Sequence, residues 1–115
     1  MRLLIPYLAL MLCFFCWKSN AQDIKRPVIA VIPIIGSINE NMATYFKECM
    51  EESSEKGADI IIVNIDTYGG LLHSCDDIRK LILRSQTPVW AFVDYKAGSA
   101  GAMIAISSQK IFMTK

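Results

Sequence analysis

The residue best suited to chemistry in this sequence is a serine whose neighbours are all small. Ser99 lies in the run AGSAG at residues 97–101, where every neighbour is alanine or glycine. A substrate could approach its hydroxyl without obstruction by side chains, as a nucleophilic serine requires. A serine before an apolar helix is also a common N-cap, so this motif alone leaves both roles open.

A pair of glycines supplies a second element of the same chemistry. Gly69 and Gly70 end the run DTYGG at residues 66–70, and neither has a Cβ to shield its backbone N–H group. Together with the N–H of Ala100, these groups could bind the oxyanion of a tetrahedral intermediate, each donor contributing ~3–4 kcal/mol. Paired glycines also mark ordinary turns, so the oxyanion hole is a hypothesis that depends on where the two runs lie.

The elements that must position these residues follow from the apolar pattern, which predicts strands alternating with helices. The first strand, 28–35, is ended by Gly36 and Ser37, and the helix that follows is capped by Asn39 and stops near Gly57. Strand 59–65 leads into a turn at 66–70 and a second helix beginning at Ser74. Strand 89–93, a fully buried helix over 97–108 and strand 111–113 complete the order. This alternation predicts an α/β fold with a parallel sheet. The carboxyl ends of neighbouring parallel strands face one crevice, so DTYGG and AGSAG are expected to lie close together.

The amino terminus has the order of a secretory signal peptide. Arg2 precedes an uncharged apolar run at residues 3–17, and small residues stand at Ser19 and Ala21. We therefore predict cleavage after Ala21, with 1–21 as signal peptide and 22–115 as one domain whose sheet is incomplete at the carboxyl end. An uncleaved anchor is the alternative, although the apolar run is shorter than the ~20 residues of a spanning helix.

Charge and cysteine content exclude several classes of function. The chain has 12 basic and 11 acidic side chains and no basic stripe, so nucleic acid is not a predicted partner. Cys49 and Cys75 follow the predicted signal peptide and fall on apolar helix faces, which favours buried free thiols over a disulfide. There is no Cys-x-x-Cys spacing, and we predict neither a metal site nor a cofactor.

Three stretches carry a family resemblance: IIIVNIDTYGG, SCDDIRKLILRSQTPV and WAFVDYKAGSAGAMIAISSQKIFM. Over about residues 28–115, the chain resembles the amino-terminal peptidase domain of the NfeD family, membrane-bound relatives of the Clp and signal-peptide-peptidase serine proteases. The resemblance implies a Clp/crotonase-like spiral of strand–helix units. It also implies Ser99 as nucleophile and Gly69, Gly70 and Ala100 as oxyanion hole. Tyr68 stands where many members have proline.

The general base is not supplied by any matching residue. The resemblance implies a serine–lysine dyad whose lysine lies beyond residue 115. Lys96, Lys110 and Lys115 do not match that position, and we predict that they are solvated surface charges. His73 precedes the serine, whereas Clp triads place histidine after it, so we predict a loop or substrate-groove residue. Asp66 is predicted to end its strand by hydrogen bonding its own turn.

The predicted function is that of a membrane-associated serine endopeptidase acting on peptide bonds of membrane proteins, at the periplasmic face of the membrane or within it. The resemblance implies homo-oligomers, membrane association through downstream segments and a stomatin-like partner. One alternative is an inactive scaffold or interaction module with the same fold. A crotonase-like acyl-CoA enzyme is a weaker alternative, because coenzyme A chemistry belongs inside the cell and the signal peptide predicts export.

Overall fold

The computed structural model describes residues 25–115, and the predicted signal peptide lies outside the described residues. Strands and helices alternate along this part of the chain. They are β1 (Ile29–Ile38), α1 (Glu40–Glu55), β2 (Ile60–Gly70), α2 (Leu72–Arg84), β3 (Val89–Ala97), α3 (Ala100–Ile106) and β4 (Lys110–Met113). This order confirms the predicted alternation.

The four strands form one parallel sheet in the order β1-β2-β3-β4. Because crossovers between parallel neighbours are right-handed as a rule, this order places the connecting helices on one face of the sheet. The core lies between this face and the helices. Its largest fully buried side chains include Ile32, Ile34, Ile61, Val63, Ile65 and Val89 from the strands and Phe46, Ile78, Ile82 and Ile104 from the helices. The predicted α/β class with a parallel sheet is therefore confirmed.

The opposite side of the sheet, here called the open face, is apolar and partly accessible. Its side chains enclose a shallow concavity of about 500 Å³, lined by Val31, Ile62, Asn64, Trp90, Phe92 and Phe112. Within this set the rings of Trp90 and Phe112 pack with centroids 5.8 Å apart. Val31 remains 60% exposed. Residues 25–115 therefore form two layers, with helices on one side of the sheet.

The first two strands extend further than the sequence predicted. β1 continues to Ile38 and pairs there with Gly70, so residues 66–70 extend β2 and do not form a separate turn. Gly36 permits the continuation, because it adopts a positive φ of 86° where the register between the two strands shifts. The glycines that suggested chain ends are instead an irregularity within paired strands.

Two helices also differ from their predicted bounds. α2 begins at Leu72, and Ser74 is a fully buried residue of its first turn. α3 is restricted to residues 100–106 and is not fully buried, since Ile106 is 73% exposed. Only one side of α3 meets the sheet, so an uncharged sequence does not imply burial all round.

Other local predictions are confirmed. Asn39 caps α1, its Oδ1 accepting the backbone N–H of Met42 at 3.0 Å. Cys49 and Cys75 are free thiols, the first half-buried and the second buried. None of the helices formed by residues 25–115 has the length and apolar character needed to span a bilayer.

Candidate active site

Ser99 lies at the turn between the end of β3 and the start of α3. Its φ of 47° and ψ of −114° are outside the helical and extended regions, and among residues 25–115 it is the one non-glycine residue with positive φ. Such a conformation costs ~1–3 kcal/mol and persists only where the surroundings enforce it. The exposed side chain makes no capping hydrogen bond to α3. A strained serine between strand and helix is the geometry of a nucleophile elbow.

The glycine pair at the end of β2 lies directly against this turn, as the sequence predicted. The backbone N–H of Gly98 donates to the carbonyl of Thr67 at 2.8 Å. A Cβ placed on Gly69 would lie 2.9 Å from the Cβ of Ser99 and 3.2 Å from the backbone nitrogen of Ala100. DTYGG and AGSAG therefore form one continuous surface at the carboxyl ends of neighbouring strands.

Thr67 organises the glycine segment and was not identified from the sequence. It is 1% exposed, and its hydroxyl donates to the carbonyl of Gly36 while accepting the N–H of Gly69 at 2.9 Å. A β-branched hydroxyl residue two positions before a pair of glycines was the available signal. Because the Gly69 N–H is engaged by Thr67, it would have to exchange this partner to bind an oxyanion.

Glycine is required at two positions here because neighbouring atoms approach too closely for a Cβ. A Cβ on Gly70 would lie 2.0 Å from the carbonyl oxygen of Ile38. A Cβ on Gly101 would lie 2.5 Å from Cγ2 of Thr67. Both distances are shorter than side-chain contacts allow, so these two positions fix how tightly β1, β2 and α3 meet around the serine.

A buried thiol links α2 to the start of α3. Cys75 is fully buried, and its Sγ donates to the carbonyl of Ala100 at 3.3 Å. Burial raises the pKa of the Cys75 thiol, so at neutral pH it stays protonated and keeps its donor. A side chain of α2 therefore fixes the peptide group between Ala100 and Gly101.

Lys96 is a paired cation at the edge of this site, and its prediction as a solvated surface charge was wrong. Its side chain is 28% exposed, with Nζ 3.3 Å from Oδ1 of Asp66. Nζ also lies 4.2 Å from the ring centroid of Tyr68 and 4.4 Å from that of Tyr95. Burial alone would lower the pKa of Lys96, but the paired charge of Asp66 and the neighbouring Tyr68 together outweigh it and raise the pKa above its usual value.

The other residues weighed as alternatives to a distant base differ in their surroundings. Asp66 was predicted to end its strand, but β2 continues past it and its carboxylate pairs with Lys96. His73 is in the first turn of α2 and not in a loop, 3.9 Å from Glu40 in a groove between α1 and α2. Lys110 and Lys115 are exposed, as predicted, and the Lys110 ammonium lies over the ring of Trp90. Within residues 25–115, no group of three or more potential ligands is arranged to hold a metal ion.

Known proteins resemble this chain in sequence and in fold. The chain is 36% identical over 96 residues to the membrane protein NfeD1b of Bacillus subtilis, covering 84% of this chain and 22% of that relative. A solved structure of 1510-N, a membrane protease specific for a stomatin homolog from Pyrococcus horikoshii, is 30% identical with a TM-score of 0.69. That match covers 76% of this chain and 46% of the solved one.

Two further structures extend the comparison. A lysine-to-alanine mutant of 1510-N in complex with a substrate peptide gives a TM-score of 0.71 at 30% identity, covering 78% of this chain and 42% of that one. ClpP1 from Listeria monocytogenes, at 23% identity and a TM-score of 0.60, shares the fold over 68% of this chain and 46% of its own. This chain thus spans less than half the length of each of these proteins.

The sequence of this chain matches a known protein family over a range that includes the whole site. Residues 28–115 match the sequence model of the NfeD1b N-terminal domain, which covers every strand and helix described above. The match therefore includes the serine turn and the glycine segment, with the threonine that accepts the N–H of Gly69. The chain belongs to the NfeD1b family, of which it carries the N-terminal domain.

Proposed function

We propose that this chain is the amino-terminal part of a membrane-associated serine endopeptidase with Ser99 as its nucleophile. The observation that carries the proposal is the conformation of Ser99, an exposed residue held at positive φ on a strand–helix turn. A serine with only a capping role would not need this strained backbone. The family adds support, because its solved relative 1510-N is a membrane-bound protease.

The proposed reaction is acyl transfer through the serine hydroxyl. Oγ of Ser99 attacks the scissile carbonyl carbon while its proton passes to a general base. The negative oxygen that forms is bound by the backbone N–H groups of Ala100 and Gly70, with Gly69 contributing if its N–H leaves Thr67. Collapse breaks the C–N bond, the leaving amine takes the proton, and water then hydrolyses the acyl-serine ester.

The base in this proposal is a lysine beyond residue 115. A lysine can accept a proton at neutral pH only if its pKa is lowered by desolvation or by a nearby cation. Lys96 has the opposite property, since the pairing with Asp66 raises its pKa. The serine–lysine dyad is further supported by 1510-N, whose serine-to-alanine and lysine-to-alanine mutants were both chosen for structure determination.

The proposed substrates are peptide segments of membrane proteins, cleaved after export of the chain by its signal peptide. Support for a peptide substrate comes from the 1510-N complex with one, and support for a stomatin-like partner comes from the specificity stated for that protein. The proposed periplasmic placement depends on residues 1–21, while membrane attachment is supported by the name of the Bacillus relative. Homo-oligomerisation is part of the same proposal.

The proposal is tested by replacing Ser99 with alanine in the complete protein. We expect Ser99→Ala to lower peptide cleavage by about 1,000-fold or more and to abolish labelling by a fluorophosphonate probe, with the melting temperature unchanged or raised. Ser107→Ala is the matched control, because this hydroxyl lies at the other end of α3 and donates only to the carbonyl of Met103.

The possible outcomes separate the proposed functions. Cleavage that survives Ser99→Ala would exclude this serine as the nucleophile. A folded wild-type protein that neither cleaves peptides nor reacts with the probe would instead favour the inactive scaffold. Turnover of an acyl-CoA ester would revive the crotonase-like alternative.

A further inference from the structure

The strand that leads to Ser99 contains an irregularity just before the turn. Ile65 of β2 is paired with Val93 of β3, and the next paired residues are Thr67 and Ala97. One residue of β2, Asp66, therefore faces the three residues 94–96 of β3. Bulges of this kind bend a strand and redirect the side chains that follow, and they are frequent next to active sites.

An ion pair joins the two strands across this bulge. Lys96 and Asp66 are only 28% and 33% exposed, and their charged atoms lie 3.3 Å apart. The ammonium is also flanked by two tyrosine rings, Tyr68 from β2 and Tyr95 from β3. Reduced solvent contact strengthens both the ion pair and the cation–π attraction, so the cluster holds the bulge in one shape.

The cluster is connected to the proposed nucleophile by a short stretch of backbone. Lys96 is followed by Ala97, Gly98 and Ser99, and the N–H of Gly98 donates to the carbonyl of Thr67. The backbone of Gly98 also lies against that of Tyr68, since a Cβ on Gly98 would be 2.8 Å from the Tyr68 carbonyl oxygen. A shift of the bulge would therefore move the peptides that enforce the positive φ of Ser99.

We propose that Lys96 is a positioning residue, whose ion pair with Asp66 between Tyr68 and Tyr95 fixes the bulge of β3 and thereby the orientation of Ser99. This inference rests on the proposed peptidase function. It assigns a role to a lysine that makes no transfer of a proton and no contact with substrate. Its charge is already compensated by Asp66, so it is not a free site for an anionic group.

The first test compares Lys96→Met with Lys47→Met in the complete protein. Lys47 is also in an ion pair, but with Glu51 on the surface of α1, where both side chains are 62% exposed. We expect Lys96→Met to lower kcat for peptide cleavage and the rate of fluorophosphonate labelling by about 10- to 100-fold, with KM changed less than about twofold. Lys47→Met should change none of these quantities. A kcat of Lys96→Met within twofold of wild type would overturn the proposal, and so would a rise in KM at constant kcat.

Two further variants distinguish a positioning role of Lys96 from a general loss of folding. Lys96→Arg keeps the cation and should restore most of the labelling rate, which a role as proton acceptor would not allow. Tyr95→Leu removes one ring from a side chain that is already 78% exposed, and we expect a fall of about two- to fivefold in kcat. Labelling by Tyr95→Leu at the wild-type rate, together with no rescue by Lys96→Arg, would overturn the proposal.

Failure of this inference is distinguishable from failure of the proposed function. If Ser99→Ala still cleaves peptide, Ser99 is not the nucleophile and kcat of the Lys96 variants no longer reports on its positioning. If Ser99→Ala is inactive while Lys96→Met is as active as wild type, the peptidase stands and the positioning role is rejected.

Discussion

Two residues that precede helices in this protein show how a cap differs from a candidate nucleophile. Asn39 has φ −141° and ψ −177°, the extended backbone of an N-cap, and its side chain accepts a backbone N–H of the helix. Ser99 occupies the equivalent position before α3 but has positive φ and makes no such bond. Both residue types are common caps, so the distinction lies in the backbone and in what the neighbours enforce.

The neighbours of Ser99 that enforce this backbone are glycines in close contact with β2. Gly98 lies against Tyr68, and Gly101 lies against Thr67. The residues of AGSAG are therefore small for two reasons: they leave the Ser99 hydroxyl accessible, and they allow close packing against β2. The sequence motif suggested access for a substrate, whereas the structure shows that close packing is needed as well.

The residue-scale prediction concerns Gly70. A Cβ at this position would lie 2.0 Å from the Ile38 carbonyl oxygen, so it would affect the stability of the fold as well as the site. We expect Gly70→Ala to lower the free energy of unfolding by ~3 kcal/mol or more, because β1 and β2 must separate. Chemical denaturation of the variant and of the unsubstituted protein measures this difference.

Gly57→Ala is the control for that experiment. Gly57 has φ +66°, and a Cβ there would meet nothing within 4 Å, so its substitution reports the cost of positive φ without a clash. That cost should be ~1–2 kcal/mol. Equal losses for the two variants would mean that β1 and β2 are not in close contact at Gly70.

At the scale of the elements, periodicity predicted which segments are strands and helices but not where the strands end. The predicted ends of β1 and β2 came too early, because the residues that follow are of turn-forming types: Gly36, Ser37, Gly69 and Gly70. The pairing of Ile38 with Gly70 joins residues distant in sequence, so no local pattern could indicate it. The partners of Lys96 were missed for the same reason: two of the three lie on a neighbouring strand.

An element-scale prediction follows from the cap of α1. Asn39→Ala removes the acceptor of the Met42 N–H and should lower the free energy of unfolding by ~1 kcal/mol. Asn41→Ala is the matched control, since Asn41 is exposed within the first turn and alanine favours helix. Thermal and denaturant unfolding of the two variants measures the difference. Asn41→Ala being the more destabilising would contradict the capping role.

At the scale of the whole molecule, the two sides of the sheet differ in their packing. One side meets all the helices, and its strand residues are almost completely buried, as for Ile34 and Val63. The open face is equally rich in apolar side chains but carries partly accessible aromatic rings. An accessible apolar surface of this kind favours association with other apolar molecules.

The whole-molecule prediction is that the open face is the main site of apolar dye binding on residues 25–115. Val31→Lys places a charge on this face, and we expect it to lower the fluorescence of bound anilinonaphthalene sulfonate and the tendency to self-associate. Leu83→Lys is the matched control on the helix side, because Leu83 is 58% exposed against 60% for Val31. Both substitutions should change the free energy of unfolding by less than about 0.5 kcal/mol, since both side chains are accessible at the surface. Equal decreases in dye binding by the two variants would mean that apolar exposure is spread over the molecule, and a decrease confined to Val31→Lys would locate it on the open face.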